Sequence, residues 1–458
     1  MRLKKVFKVI FVDCFSLLVG ILNGLFLPKI FNIDQYSFFK TFGLYASYAG
    51  IFHFGFSDGI YILLGGKKEK DIDKEKVRGY YELLLKIEII VLTVFIFMNV
   101  VIIKNIVFRY FILYVFPFQM VHFFRLYYRS IGKFDSYSLL QASITTIGLI
   151  NTLLTVFFFK SPDIYIVIQI LSYIVVAIYI SFRFYLHHPC SKKVSFKEFR
   201  YIVELGFTVM IANTVAELFF SLDRWFLKFG FSSNEFAYYS FAVSMLTIFI
   251  KLINSVMILL YPYFSVNITD DKSRKVMKKY LIIITSFAPT SYFVLKYIVG
   301  NYLNEYIKSI DILGILILAV PFIALINILY SNLYKASKSV KKYLTIVCLM
   351  FCVTLILNVL SYLIFKNPIM IACATVTSFF IWYLYSSKDF EGLEVTRREI
   401  LFFIVYFITF SIVLKFKFGI ILPGLVFVIV IAVSEWIFFR EHVTSLIKCF
   451  CKTKESSN

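Results

Sequence analysis

The chain has 458 residues, of which 60% are hydrophobic and only 16% are charged. This composition is too apolar for a soluble domain to cover with polar surface, and the polar stretches are too short to form a separate nucleotide-binding or catalytic domain. The net charge of +21 could suit a nucleic-acid partner, but the basic residues follow a membrane pattern, so we expect no nucleic-acid binding.

Apolar blocks of about 20 residues recur along the whole chain, and each is long enough to cross a hydrocarbon layer of about 30 Å as an α-helix. They predict an all-α polytopic membrane protein with fourteen transmembrane helices. In chain order, the predicted helices cover approximately residues 8–31, 39–64, 83–103, 106–124, 136–159, 164–182, 201–227, 236–265, 280–299, 309–334, 343–365, 368–386, 401–414 and 419–439.

The distribution of Lys and Arg predicts the orientation of these helices. With the N-terminus inside, the cytoplasmic segments carry about three times as many basic residues as the outer connections, which is the positive-inside pattern. Both termini are therefore predicted to be cytoplasmic. The sequence contains no phosphate-binding GxxxxGK[ST] motif and no HExxH or CxxC motif, so we expect no metal site and no cofactor.

A weak internal repeat is visible at an offset of 200 residues. The sequence DQYSFF at residues 34–39 corresponds to NEFAYY at 234–239, and Arg78 corresponds to Lys278. We interpret this as a duplication of six helices, which predicts two parallel six-helix bundles around a central cavity. The two bundles are predicted to cover residues 1–200 and 201–400, followed by helices thirteen and fourteen at 401–440 and a cytoplasmic tail at 441–458.

Ionisable side chains inside membrane spans are costly, so they mark candidate functional groups. On the seventh predicted helix, Asn213, Glu217 and Arg224 share one face, and Asn213 and Arg224 are predicted to bind substrate. Glu217 lies near mid-span, where we expect a water-filled cavity and a site for coupling to H⁺ or Na⁺. Asp223 and Arg224 could instead extend towards the outer surface, and a buried structural pair is the alternative for Glu217.

Lys251 is the strongest candidate for contact with an anion, because it lies close to the middle of the eighth predicted helix. Asn254 follows it and is predicted to bind substrate as well. On the first helix, Asp13 and Asn23 lie on one stripe of small or polar residues, which either packs helices together or lines a polar path. Asp13 is a second candidate for ion coupling, and Asn23 for substrate binding.

Two further groups are interpreted as structural. Asp58, near the inner end of the second helix, is predicted to form an ion pair with Lys86 at the start of the third helix. His53 stands alone in mid-helix, and we interpret it as a core histidine with satisfied hydrogen bonds rather than as a proton carrier.

Several loose motifs resemble those of the bacterial polysaccharide repeat-unit flippases, a family within the multidrug, oligosaccharidyl-lipid and polysaccharide exporter superfamily. They are GFSDGIY at residues 55–61, GGKK at 65–68, SLDRWF at 221–226, EFAYYS at 235–240 and LYP at 260–262. The resemblance implies alternating-access transport of an undecaprenyl-pyrophosphate-linked oligosaccharide across the bacterial inner membrane for O-antigen or capsule biosynthesis. It also implies a glycan polymerase and chain-length proteins as partners, besides membrane lipid.

The family is described as having a cationic lumen, and this sequence departs from it because Lys251 and Arg224 are its few mid-membrane basic residues. A cation-coupled drug antiporter of the same superfamily is the main alternative, with Glu217 and Asp13 as its binding groups. A membrane-embedded glycan polymerase is a third interpretation, which the very short outer connections argue against. We therefore expect a transporter rather than an enzyme.

Overall fold

The computed structural model describes residues 2–67, 69–188, 190–266, 271–337, 339–416 and 419–455. Within these ranges the chain is helical and contains no strand, which confirms the predicted all-α class. The described α-helices are α1 (Arg2–Ile30), α2 (Ile33–Ala46), α3 (Phe56–Leu64), α4 (Lys74–Met98), α5 (Ile106–Ser130), α6 (Phe134–Leu154), α7 (Pro162–His187), α8 (Phe196–Gly230), α9 (Ser233–Val266), α10 (Asp271–Thr285), α11 (Thr290–Tyr302), α12 (Lys308–Leu316), α13 (Val320–Ala324), α14 (Ser331–Ala336), α15 (Val340–Phe365), α16 (Pro368–Ser387), α17 (Arg397–Leu414) and α18 (Ile421–Glu455).

Twelve helical stretches of the described residues are long and apolar enough to cross a membrane. The predicted second span is outside this set because it is divided into α2 and α3, which have only 14 and 9 residues. The predicted thirteenth span corresponds to α17, which has 18 residues and is also outside the set. The chain is thus a multi-pass membrane protein, and the predicted count of fourteen spans is not confirmed.

The helices group into two compact units, which we call the first unit (Met1–Ser221) and the second unit (Leu222–Asn458). The boundary lies within α8, some way after the predicted division at residue 200. In the first unit, α1 packs on α6 and α5 packs on α7. In the second unit, α15 packs on α16, α9 packs on α12, and α17 packs on α18.

Aromatic side chains form much of the core of the first unit. The ring of Tyr81 on α4 lies 5.0 Å from that of Phe124 on α5 and 5.5 Å from that of Phe184 on α7, measured between ring centroids. Rings at these separations attract one another beyond the effect of burying their area. The three helices are therefore joined through one aromatic cluster.

The second helix of each predicted repeat begins with the same local structure. At the start of α2, the amide of Gln35 donates to the side chain of Asn32, and the amide of Asn32 donates to the side chain of Gln35. At the start of α9, Ser232 and Glu235 exchange the same two bonds. Such capping boxes satisfy two otherwise unpaired donors at a helix start. Their spacing of 200 residues supports the interpretation of the sequence as a duplication.

Candidate functional site

The chain breaks its second span at residues 47–55, in the first unit. After α2, a short 3₁₀ turn covers Ala49–Ile51, and the backbone then takes positive φ angles at Phe54 (51°) and Gly55 (82°) before α3 begins. Glycine adopts such angles without steric cost, whereas phenylalanine rarely does. The break is held by Gln119 on α5, whose side-chain amide donates to the carbonyl of Ala49 over 2.8 Å.

Three ionisable side chains meet at this break. His53 is 1% exposed, and its Nε2 lies 3.7 Å from Oδ2 of Asp58 on α3. The ring of His122 on α5 stacks on the ring of His53, with centroids 5.6 Å apart and an angle of 9° between the planes. The prediction that His53 stands alone is therefore wrong, because α5 brings a second imidazole against it.

The predicted ion pair between Asp58 and Lys86 is absent from the described residues. Asp58 is buried beside His53 instead, whereas Lys86 is exposed on α4. The physical reason is the break itself: after the turn at residues 52–55, α3 directs Asp58 back towards His53. Asp58 is close in sequence to the third predicted helix, but this closeness does not show that the chain turns back towards His53.

The backbone of α3 lies against the backbone of α8. A Cβ atom added to Gly59 would fall 1.9 Å from the carbonyl oxygen of Ile202, and one added to Gly206 would fall 2.1 Å from the carbonyl oxygen of Gly55. Real Cβ atoms do not approach other heavy atoms this closely, so glycine is required at both positions. This contact joins the break in the second span directly to α8.

The polar face of α8 divides into exposed and buried parts. Asn213 is exposed and Glu217 is partly exposed, and no hydrogen bond or ion pair of the Glu217 carboxylate is present among the described residues. Asp223 is buried, and its Oδ2 accepts a 2.7 Å hydrogen bond from the Tyr239 hydroxyl. The suggestion that Asp223 extends to the outer surface is thus wrong, because Tyr239 holds it inside the second unit. Arg224 beside it is partly exposed.

Lys251 is exposed on α9, within the span Ser233–Met257. Among the described residues, its ammonium group makes no hydrogen bond or ion pair. Asn254, one turn further, is partly buried, and its Oδ1 accepts a 3.2 Å hydrogen bond from the amide of Asn327. Asn254 thus packs within the second unit, whereas the Lys251 side chain is exposed.

The polar stripe of α1 faces α6. The Ser16 and Thr145 hydroxyls are 2.8 Å apart, and the hydroxyl of Thr152 donates to Oδ1 of Asn23 over 2.7 Å. These bonds favour the helix-packing interpretation of the stripe over a polar path. Asp13, nearer the N-terminus of the same helix, is partly buried and lies within electrostatic range of the Arg129 guanidinium on α5.

Two further ionisable groups, the partly buried His122 and the buried Glu88, were not predicted as functional residues. His122 lies in a run of aromatic residues on α5, and nothing in its surroundings indicated a partner 69 positions earlier in the chain. Glu88 on α4 is 1% exposed, and neither carboxylate oxygen has a hydrogen-bond partner among the described residues. The only signal for Glu88 was its charge within an apolar block.

No known family profile and no curated protein sequence matches this chain. Solved structures of membrane transporters do match its fold. The lipid II flippase MurJ, in an inward closed conformation, is 15% identical, with a TM-score of 0.71 over 96% of this chain and 100% of the MurJ chain.

Two transporters described as MATE proteins match over a smaller share of the chain. DinF-BH is 14% identical, with a TM-score of 0.56 over 86% of this chain and 96% of its own. The Vibrio cholerae transporter VcmN is 13% identical, with a TM-score of 0.52 over 84% and 96%. The chain therefore has the fold that MurJ and the MATE transporters share.

Proposed function

We propose that the chain is a flippase, which moves an undecaprenyl-pyrophosphate-linked oligosaccharide from the cytoplasmic to the outer leaflet of a bacterial inner membrane by alternating access. The observation that carries this proposal is the exposed and unpaired ammonium group of Lys251 among the described residues of a membrane span. A lysine in mid-membrane is costly unless it faces water or an anion, and a pyrophosphate head group is such an anion.

The likeness to MurJ supports a lipid-linked substrate. The match covers 96% of the chain, compared with 86% and 84% for the two MATE structures, and its TM-score is higher than theirs. Fold likeness alone does not define a substrate, so the weight of the proposal rests on the charge at Lys251.

Moving a pyrophosphate-linked glycan across the membrane is also helped by a basic group inside a span. A pyrophosphate and several sugars cannot cross bare lipid, because their charges and hydrogen-bonding groups would lose water without replacement. A cation along the path lowers that barrier. The membrane potential, negative inside, favours outward movement of an uncompensated anion by about 2.3 kcal/mol per charge per 100 mV.

The test is complementation of a deletion strain, with surface polysaccharide as the measurement. Lys251→Ala is expected to abolish surface glycan at normal protein level, while Lys251→Arg keeps the charge and should largely preserve it. Lys86→Ala is the matched control, since Lys86 is also an exposed lysine within a span but is not proposed to bind substrate. Normal glycan in the Lys251→Ala strain would overturn this role.

A cation-coupled drug antiporter is the second candidate, favoured by the partly exposed Glu217 and by the MATE fold. Deletion would then raise drug susceptibility and leave surface polysaccharide unchanged. Under this alternative, Glu217→Gln should abolish drug efflux while Lys251→Ala has little effect, which is the reverse of the pattern expected for the flippase. The same Glu217→Gln variant tests ion coupling in the flippase, by transport measured with and without H⁺ or Na⁺ gradients.

A further inference from the structure

The break in the second span brings together the buried side chains of His53 and Asp58 and the partly buried imidazole of His122. His53 is 1% exposed, Asp58 is 8% exposed, and His122 is stacked on His53. A cluster of this kind inside a membrane protein is expensive unless its groups have partners or bind an ion. The hydrogen bonds around His53 indicate which ion this cluster can bind.

The side chain of His53 closes the turn that follows it. Its Nδ1 accepts a hydrogen bond from the backbone amide of Gly55 over 3.0 Å, so Nδ1 carries no proton in this state. The other nitrogen, Nε2, faces Asp58 and carries the proton of the neutral ring. In an imidazolium both nitrogens are donors. A proton added to Nδ1 therefore removes the acceptor of the Gly55 amide and leaves that amide buried without a partner.

The turn that loses this bond is the one that packs against α8. Phe54 and Gly55 are held at positive φ, and the carbonyl of Gly55 lies against Gly206 on α8. Burying an amide without a partner is unfavourable enough to change the population of two states about fivefold or more. Protonation of His53 would thus weaken the docking of α3 on α8, while its Nε2–H would gain a charged pairing with Asp58.

The surrounding charges place the proton on His53 rather than on His122. The titratable and charged groups near the two rings are Asp58 on α3, Arg125 and Arg129 on α5, and Asp13 on α1. Arg125 and Arg129 both oppose a positive charge on His122, whereas Asp58 supports one on His53. From α8, the atoms that lie nearest to a Cβ position on Gly55 are uncharged backbone atoms of Gly206 and Phe207.

We propose that His53, together with Asp58, is a proton-binding site whose occupancy releases the Phe54–Gly55 turn from α8. Binding a proton at Nδ1 is the only chemical step, and it breaks no covalent bond. This proposal replaces the interpretation of His53 as a core histidine rather than a proton carrier. Its role in transport rests on the flippase proposed above, where His53 would take a coupling proton. The binding and release themselves need no glycan substrate.

The experiment uses the full-length protein in lipid nanodiscs, with ¹⁵N-labelled histidine, followed by NMR from about pH 8 to about pH 3. The chain has five histidines, so their signals can be assigned by single substitutions. We expect His53 to change from the neutral Nε2–H form to the imidazolium. Hydrogen exchange of residues 47–59 and 199–210, corrected for the intrinsic effect of pH, is expected to become at least about fivefold faster over the same step.

His53→Asn keeps an acceptor near the position of Nδ1 but cannot titrate, so the turn should stay closed at every pH and the exchange step should disappear. His122→Phe keeps a stacked ring without a second imidazole, and the step should remain. His187→Asn removes an exposed histidine at the end of α7 and is the matched control, with no effect expected. Asp58→Asn should move the midpoint to lower pH by about one unit.

The outcomes separate this site from the proposed function. If His53→Asn retains the exchange step, or if His122→Phe abolishes it, the assignment to His53 is overturned. If the step behaves as expected but purified protein moves no lipid-linked glycan, the proton site stands and the flippase proposal fails. If vesicles show transport whose dependence on a pH gradient is unchanged in His53→Asn, the flippase stands and the coupling role of His53 is overturned.

Discussion

In each unit, hydrogen bonds from basic side chains near the start of one helix hold the segment at the start of a later helix. The helices are α4 and α8 in the first unit, and α10 and α17 in the second. In the first unit, the Arg78 guanidinium on α4 donates to the carbonyl of His188 over 2.7 Å, just before α8. Lys76 and Tyr80, on the same helix, donate to the carboxylate of Glu198 in the first turn of α8 over 3.1 Å and 2.7 Å.

The second unit repeats this arrangement about 200 residues later. Lys278 on α10 donates to the carbonyls of Leu393 and Glu394, just before α17, over 2.9 Å and 3.0 Å. Lys278 and Lys279 donate to the carboxylate of Glu399 in the first turn of α17 over 2.9 Å and 2.6 Å. The same connection therefore holds corresponding helices in both units, as a duplication requires.

The difference between the two connections is burial. The Glu198 side chain is 25% exposed, whereas that of Glu399 is fully buried and that of Lys278 is 3% exposed. Exposed ion pairs contribute little to stability because water and salt screen them. Removing one partner of a buried pair, in contrast, is strongly destabilising because the other charge is left buried without a partner. Similar contacts in the two units should thus respond very differently to mutation.

The second spans of the two units differ as well. In the first unit the span is broken at residues 47–55 and buries His53 and Asp58, while in the second unit α9 runs unbroken through the corresponding residues. Lys251, which corresponds to Ile51 in the repeat, is exposed. Corresponding regions of the two repeats thus both carry ionisable groups, which are buried in the first unit and exposed in the second.

The largest expected effect is that of Glu399→Gln. Loss of this charge leaves two lysines without their carboxylate, one of them buried, so we expect a loss of stability of about 3 kcal/mol. The measurement is thermal unfolding in detergent together with the yield of folded protein. Glu198→Gln is the matched variant and should cost about 1 kcal/mol or less. Equal effects of the two variants would contradict the comparison.

Gly59→Ala should have the next largest effect. The added methyl group meets the carbonyl oxygen of Ile202, so α3 must move away from α8, at a cost of about 2 kcal/mol. Gly148→Ala on α6 is the control, because no atom lies within 4 Å of its added Cβ, and it should stabilise the helix by up to about 1 kcal/mol. If Gly59→Ala were neutral, the close docking of α3 on α8 would be wrong.

Asn23→Ala should lower stability by about 1 kcal/mol and leave transport unchanged, because the Asn23 side chain accepts a hydrogen bond from Thr152 within the first unit. This variant separates helix packing from substrate binding. It is measured by unfolding and by surface polysaccharide in the same strain. Loss of glycan at full stability would restore Asn23 to the substrate path.

The all-α class and the existence of most helices could be predicted from apolar blocks, but the helix starts were less accurate: the helices predicted from residues 39 and 236 begin at Ile33 and Ser233. Contacts across the chain could not be predicted. His122 joins His53 only because α5 packs beside the break, and the break arises from φ angles at Phe54 and Gly55 that no periodicity encodes. Tyr239 likewise buries Asp223 through tertiary packing, which helical spacing does not reveal.

The smallest expected effect on stability concerns the ion pair of Lys133 and Glu69. Both side chains are exposed, so this pair should contribute less than the buried pairs. Their charged atoms are 2.6 Å apart, but 36% and 48% of the two side chains is exposed. The hydrogen bond from Lys133 lowers the pKa of Glu69 below its usual value of about 4.5. A carboxylate with a lowered pKa stabilises the fold above that usual value, and this contribution is lost as the pH falls below it. We expect Lys133→Ala to cost about 0.5 kcal/mol or less at neutral pH and nothing measurable in strong acid or high salt, as measured by unfolding at two ionic strengths. A loss comparable to that of Glu399→Gln would show that solvent exposure does not govern the strength of these ion pairs.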